Sequence, residues 1–161
     1  MFLHTLKKVF LRAACGVALG FVAVSAAAAE VVERQLVVAL FSYQDRAIFD
    51  VKVGAEKIGS AGKFFPLSKP RLKIGVLLAE GPQPITWMVA AEGSGVQAVK
   101  ARNTPALSGL TADTRFLGVH IYPDNSVEFT LSAGYPVYTD RGKAISDQAQ
   151  RANAQQRENA Q

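Results

Sequence analysis

The stretch that most constrains this chain is Arg115 to Ser132 (RFLGVHIYPDNSVEFTLS), two alternating apolar runs either side of a short polar turn. Leu117, Val119 and Ile121 share one face of the first run. Val127, Phe129 and Leu131 share one face of the second, the period of a half-buried strand. Both triplets point the same way only if Ile121 is paired with Val127 or with Phe129, because a slip of one residue would turn a whole apolar set toward water. Pro123, Asp124 and Asn125 supply the loop: proline presets φ for a turn, and asparagine tolerates the left-handed conformation that closes it. A β-hairpin is therefore expected, with His120 and Tyr122 on the face away from the core.

The rest of the chain carries the same signature. Gln35 to Tyr43 (QLVVALFSY) is a nearly continuous apolar run whose β-branched and aromatic content favours a strand buried on both faces. Phe49, Val51 and Val53 alternate with charged residues, and these two segments are expected to form a first hairpin. Gly54 to Gly62 reads as a flexible loop, its glycines unsupported by the lysine and helix of a phosphate cradle. Leu72, Ile74, Val76 and Leu78, then Ile85, Trp87 and Val89, alternate around a Gly-Pro turn and suggest a second hairpin. Val96 to Arg102 is weakly apolar and charged at Lys100 and Arg102, as edge strands often are. A last short strand is expected around Val137. About seven strands joined by Gly, Pro and Asn turns point to an all-β fold, an antiparallel β-sandwich or small barrel, with a half-open sheet covered by a C-terminal helix as the alternative.

The ends differ from the middle. Lys7, Lys8 and Arg12 precede an apolar run from Ala13 to Val24 and a small-residue stretch ending at Ala29, the pattern of a secretory signal peptide cleaved near Ala29, with an uncleaved N-terminal anchor as the alternative. The expected organisation is residues 1–29 as signal, 30–142 as the β-domain, and 143–161 as a polar tail, helical or disordered. The apolar run is short for a bilayer span, so no stable membrane span is expected after cleavage, and the location is periplasmic or secreted. Cys15 lacks the aliphatic residue a lipobox needs upstream. Without residues 1–29 the net charge of +5 falls to +2, because three of 18 basic residues leave and none of 13 acidic ones. A nucleic-acid partner is accordingly not expected.

Few residues suggest chemistry. His4 leaves with the signal, so His120 is the one imidazole of the mature chain and a multi-histidine zinc site is excluded by counting. A serine triad would need His120 with Ser126 or Ser132 and Asp124, and no nucleophile elbow occurs. Asp124 and Asn125 lack the spaced carboxylates of a calcium loop. No catalytic residue, metal or cofactor is assigned. A sheet histidine can still titrate near neutral pH and lend binding a modest pH dependence. The candidate binding residues are the basic cluster Lys63, Lys69, Arg71 and Lys73 interleaved with Phe64 and Phe65, together with Trp87, His120 and Tyr122. The bland reading of each is a solvated loop, a core tryptophan and a surface histidine.

Four phrases carry a resemblance: Phe41 to Arg46 (FSYQDR), Gly81 to Trp87 (GPQPITW), Val99 to Asn103 (VKARN) and Val119 to Glu128 (VHIYPDNSVE). Together they resemble small exported bacterial proteins of unknown function, many of them lipoproteins, often encoded beside phospholipase effectors of type VI secretion systems. This chain departs from that pattern in its missing lipobox and in lacking the cysteines some relatives carry. The resemblance implies a non-enzymatic periplasmic protein that binds a protein partner, immunity against a co-encoded phospholipase being one form of it. The competing class is a small-ligand or carbohydrate-binding β-module, or weak hydrolase, of the cell envelope. It requires Trp87, Tyr122 and His120 to converge on one concave surface.

Overall fold

The computed structural model describes residues 32–64, 70–91 and 95–160. The expected signal segment, Phe65 and Lys69 lie outside the described residues. Among those described, the chain is mostly strand with a single helix: β1 (Glu33–Ser42), β2 (Ile48–Val53), β3 (Glu56–Ala61), β4 (Arg71–Ala79), β5 (Gly81–Pro82), β6 (Ile85–Ala90), β7 (Val96–Lys100), β8 (Ala106–Leu107), β9 (Phe116–Ile121), β10 (Val127–Ser132) and α1 (Asp140–Asn159). One sheet has the order β10-β9-β1-β4 and a second the order β3-β2-β6-β7, with β5 and β8 forming a small ribbon. No barrel closes among the described residues.

Alternation along the strands builds a core between the two sheets. Leu36, Val38 and Leu40 of β1, with Leu117, Val119 and Ile121 of β9, meet Ile48, Val51 and Val53 of β2 and Ile85, Trp87 and Val89 of β6. Trp87 is fully buried there, and its indole N–H finds no partner among the described residues. Asn103, just past β7, donates to the Val127 carbonyl and accepts from the Val127 amide, both at 2.8 Å, tying one sheet to the other.

The hairpin of β9 and β10 forms with Ile121 opposite Val127. Asn125 closes its loop at φ 61°, the left-handed role expected of it. β7 lies at the edge of its sheet, as its charged residues suggested. The two other hairpins do not form. β1 pairs with β4 and, in parallel, with β9, whereas β2 pairs with β3 and β6. Each expected hairpin joins strands of different sheets, since periodicity identifies a strand and its buried face but not its neighbour. The Gly54 to Gly62 loop contains β3, which pairs along β2.

Two irregularities turn expected core residues outward. The register of β2 shifts beside Asp50, which sits at φ 48°, and Phe49 is exposed. On β4 the pairing with β1 jumps around Ile74 and Gly75, Gly75 adopting φ 76°. Val76 and Leu78 reach the core, while Leu72 and Ile74 stay exposed. Both behave as β-bulges, in which an extra residue reverses the facing of the strand beyond it. Around Val137 there is no strand; that residue is exposed, and Thr139 instead caps α1, accepting from Gly142 N–H at 2.9 Å. The tail is thus helical, starting before residue 143.

Candidate functional site

The outer face of the β10-β9-β1-β4 sheet, the one turned away from the inter-sheet core, divides into two halves. Alternation brings Phe41 of β1 and Tyr43 just past it, with His120 and Tyr122 from the β9 end, to the same region. Their rings form a nearly parallel row: Phe41 to His120 at 4.3 Å and 11°, His120 to Tyr43 at 6.2 Å and 12°, Tyr43 to Tyr122 at 5.1 Å and 8°. Tyr138, Thr139 and the first turns of α1 cover it, with Ile145 and Phe64 packed at its margin. His120, expected on a solvent-facing surface, is completely buried. Sequence did not show this, because the covering segment from Tyr138 into α1 reads as a short strand around Val137 followed by a polar tail, with nothing local to place it over the sheet.

Hydrogen bonds lock the row. His120 Nδ1 lies 3.1 Å from the Tyr43 hydroxyl and Nε2 3.1 Å from Thr130 Oγ1. Tyr122 donates to Glu128 at 2.7 Å and lies 2.6 Å from Thr139 Oγ1. Burial lowers the His120 pKa to about 4 and pushes Tyr122 up to about 12; it also raises Tyr43. His120 is therefore a neutral imidazole at physiological pH, and titration near neutrality is not its property. Glycines make the fit possible. A Cβ on Gly118 would collide with Thr130 Oγ1, and one on Gly142 would collide with the Tyr43 hydroxyl.

The triad geometry does not form. Ser126 Oγ donates to Asp124 at 2.6 Å and accepts from Arg141 at 2.8 Å, while Ser132 Oγ donates to the Gly134 carbonyl. Arg141 also pairs with Asp124 at 3.0 Å and lies over the Tyr122 ring at 3.9 Å. The Ser126 hydroxyl, with Arg141, holds the Asp124 carboxyl down at about 2. Asp124 and Asn125 thus serve the turn. Among the described residues, no group of three His, Cys, Asp or Glu side chains could hold a metal ion.

Beside the aromatic row, where β1 runs past the start of β4, lies a cavity of about 400 Å³. Buried Phe41 and Tyr43 are among its lining, with Phe64, Tyr138, Lys63 and Arg71. Lys63 and Arg71 are exposed, and Phe64 is half-buried with its ring 5.5 Å from Tyr43. Three members of the sequence cluster, Lys63, Phe64 and Arg71, are thereby brought together, while Lys73 stands farther along the exposed β4 edge. Trp87 does not join His120 and Tyr122: it points between the sheets while they point away, so the three-residue pocket required by the small-ligand reading is not formed. Phe41, Tyr43 and Tyr138 were not singled out from sequence. The one signal for Phe41 and Tyr43 was the persistence of aromatics at alternate positions along and just past β1.

The other half of the outer face is open. On β4, the edge strand, Leu72 is 48% exposed, Ile74 76% and Leu77 54%. Val37 and Phe116, paired across the adjoining strands and half-buried, continue this apolar surface toward Tyr135, whose ring is 6.2 Å from that of Phe116. Comparisons of the chain with family models, curated proteins and solved structures give no match. Among the described residues no helix is long and apolar enough to cross a membrane.

Proposed function

We propose that this chain is a non-enzymatic binding protein of the periplasm that acts by docking onto a protein, and that its partner is a co-encoded secreted phospholipase which it neutralises as an immunity protein. The observation that carries the docking step is the open β4 edge. Arg71 to Gly75 are all exposed, and among the described residues no strand pairs with the outer side of β4; large apolar side chains on such an edge are what proteins ordinarily avoid unless another chain covers them. Main-chain groups along such an edge recruit a strand of the partner, and the alternate side chains select it. Arg71 and Lys73, with Lys63 nearby, favour a partner segment carrying carboxylates. The signal-like N-terminus supports the periplasmic location, and the four resembling phrases support the phospholipase. Burial of His120 within the aromatic row suits a scaffold better than a reactive centre.

The test combines the purified chain with the purified phospholipase encoded beside it. A stoichiometric complex and loss of lipase activity are expected. Ile74→Lys, at an exposed position, should weaken the complex by at least about tenfold while leaving the unfolding midpoint unchanged. Absence of a complex at micromolar concentrations, or full affinity in Ile74→Lys, would overturn the reading.

A further inference from the structure

The cavity beside β1 has an aromatic floor that the docking reading does not use, although it shares Lys63 and Arg71 with that reading. Its floor is Phe41 and Tyr43, its walls include Phe64 and Tyr138, and two cations, Lys63 and Arg71, stand among its lining residues. No carboxylate is among the described lining residues. Rigid aromatic rings backed by the His120 row offer an apolar surface that needs little rearrangement to receive a ligand, and about 400 Å³ is within the range of small-molecule sites. We propose that this cavity binds a small amphiphilic carboxylate, its aryl or acyl portion against Phe41, Tyr43 and Phe64 and its carboxylate toward Lys63 and Arg71. The guanidinium suits a planar carboxylate because its N–H groups match the two oxygens. The aromatic floor is distinct from Leu72, Ile74 and Leu77 of the docking edge, although Arg71 belongs to both, and binding of a small ligand is tested without any protein partner.

Isothermal titration of the purified chain with 2-naphthoate, and with 2-naphthylmethanol as the uncharged counterpart, reads the inference directly. The acid should bind saturably at one site and about tenfold more tightly than the alcohol, the contribution of one charge-assisted hydrogen bond. Lys63→Met and Arg71→Met, both at exposed positions, should each lower affinity for the acid by about three- to tenfold and leave the alcohol unaffected. Phe64→Ala should weaken both. In the amide spectrum, the acid should move the signals of Phe41, Tyr43 and His120. No saturable binding below about 5 mM, equal affinity for acid and alcohol, or affinity for the acid unchanged in both cation variants would overturn the assignment.

Discussion

At the scale of single residues, His120 shows how the same alternation that exposes a side chain in a two-layer sheet buries it when a third layer is present. Its pKa falls from 6.5 to about 4 because burial penalises the imidazolium. Between those values the unfolded chain holds a proton that the folded chain does not. Stability is therefore complete above pH 6.5 and is lost as pH falls toward 4, by up to about 3 kcal/mol. Asp124, depressed to about 2, titrates below that window. Urea midpoints measured between about pH 7.5 and pH 4 should fall steeply for the native chain and less steeply for His120→Gln, even though the variant starts lower. Identical slopes would mean that the imidazole is protonated in the fold. Asn125 is the opposite case: its left-handed φ was legible from sequence because a turn is local, whereas the burial of His120 depends on Thr139 and its neighbours, which no local pattern places there.

At the scale of elements, strands were legible and their partners were not. The period of two marked β2, β4, β6, β9 and β10, and a continuous β-branched and aromatic run marked β1, but neither says which sheet a strand joins, and the bulges at Asp50 and Gly75 silently reverse the facing that alternation assigns. The helix was legible only as a polar tail. Its low apolar content makes it a weak helix by itself, and its start is what fixes it: the Thr139 cap, Arg141 against Tyr122 and Asp124, and Gly142 beneath the Tyr43 hydroxyl. The two effects of Gly142→Ala oppose each other. Helix propensity favours alanine by about 1 kcal/mol, but the new methyl overlaps the hydroxyl of buried Tyr43, a displacement of the kind that costs about 1–3 kcal/mol. A net loss is expected in urea unfolding, with a reduced tyrosine near-ultraviolet dichroism signal. Removal of residues 151–160, which are almost wholly exposed, should change stability by less than about 0.5 kcal/mol. Stabilisation by Gly142→Ala would mean that the helix start is not seated against the sheet.

At the scale of the whole molecule, the chain starts in the first sheet at β1, crosses to the second for β2 and β3, returns for β4, crosses again for β6 and β7, and comes back to the first at β9 and β10. Its parallel pair, β1 with β9, joins segments that the rest of the domain separates. Neither sheet is complete until the chain has crossed between them more than once, which makes the contacts predominantly non-local and the folding slow relative to a helical domain of the same size. β1 also lies at the centre of both apolar clusters: Leu36, Val38 and Leu40 enter the inter-sheet core, while Ala39, Phe41 and Tyr43 enter the outer aromatic row. A strand shared in this way leaves no route for one cluster to melt while the other persists, because losing β1 removes alternate side chains from each. Trp87, the single tryptophan, reports the inter-sheet core, and Tyr43 and Tyr122 report the outer row. Urea unfolding near pH 7.5 should give coincident midpoints for tryptophan fluorescence and tyrosine near-ultraviolet dichroism, within about 0.2 M, as one cooperative unit requires. An earlier tyrosine transition would show that the outer row and the helix start detach on their own, in which case the cavity floor would be lost before the β4 edge and the two proposed sites would fail at different denaturant concentrations.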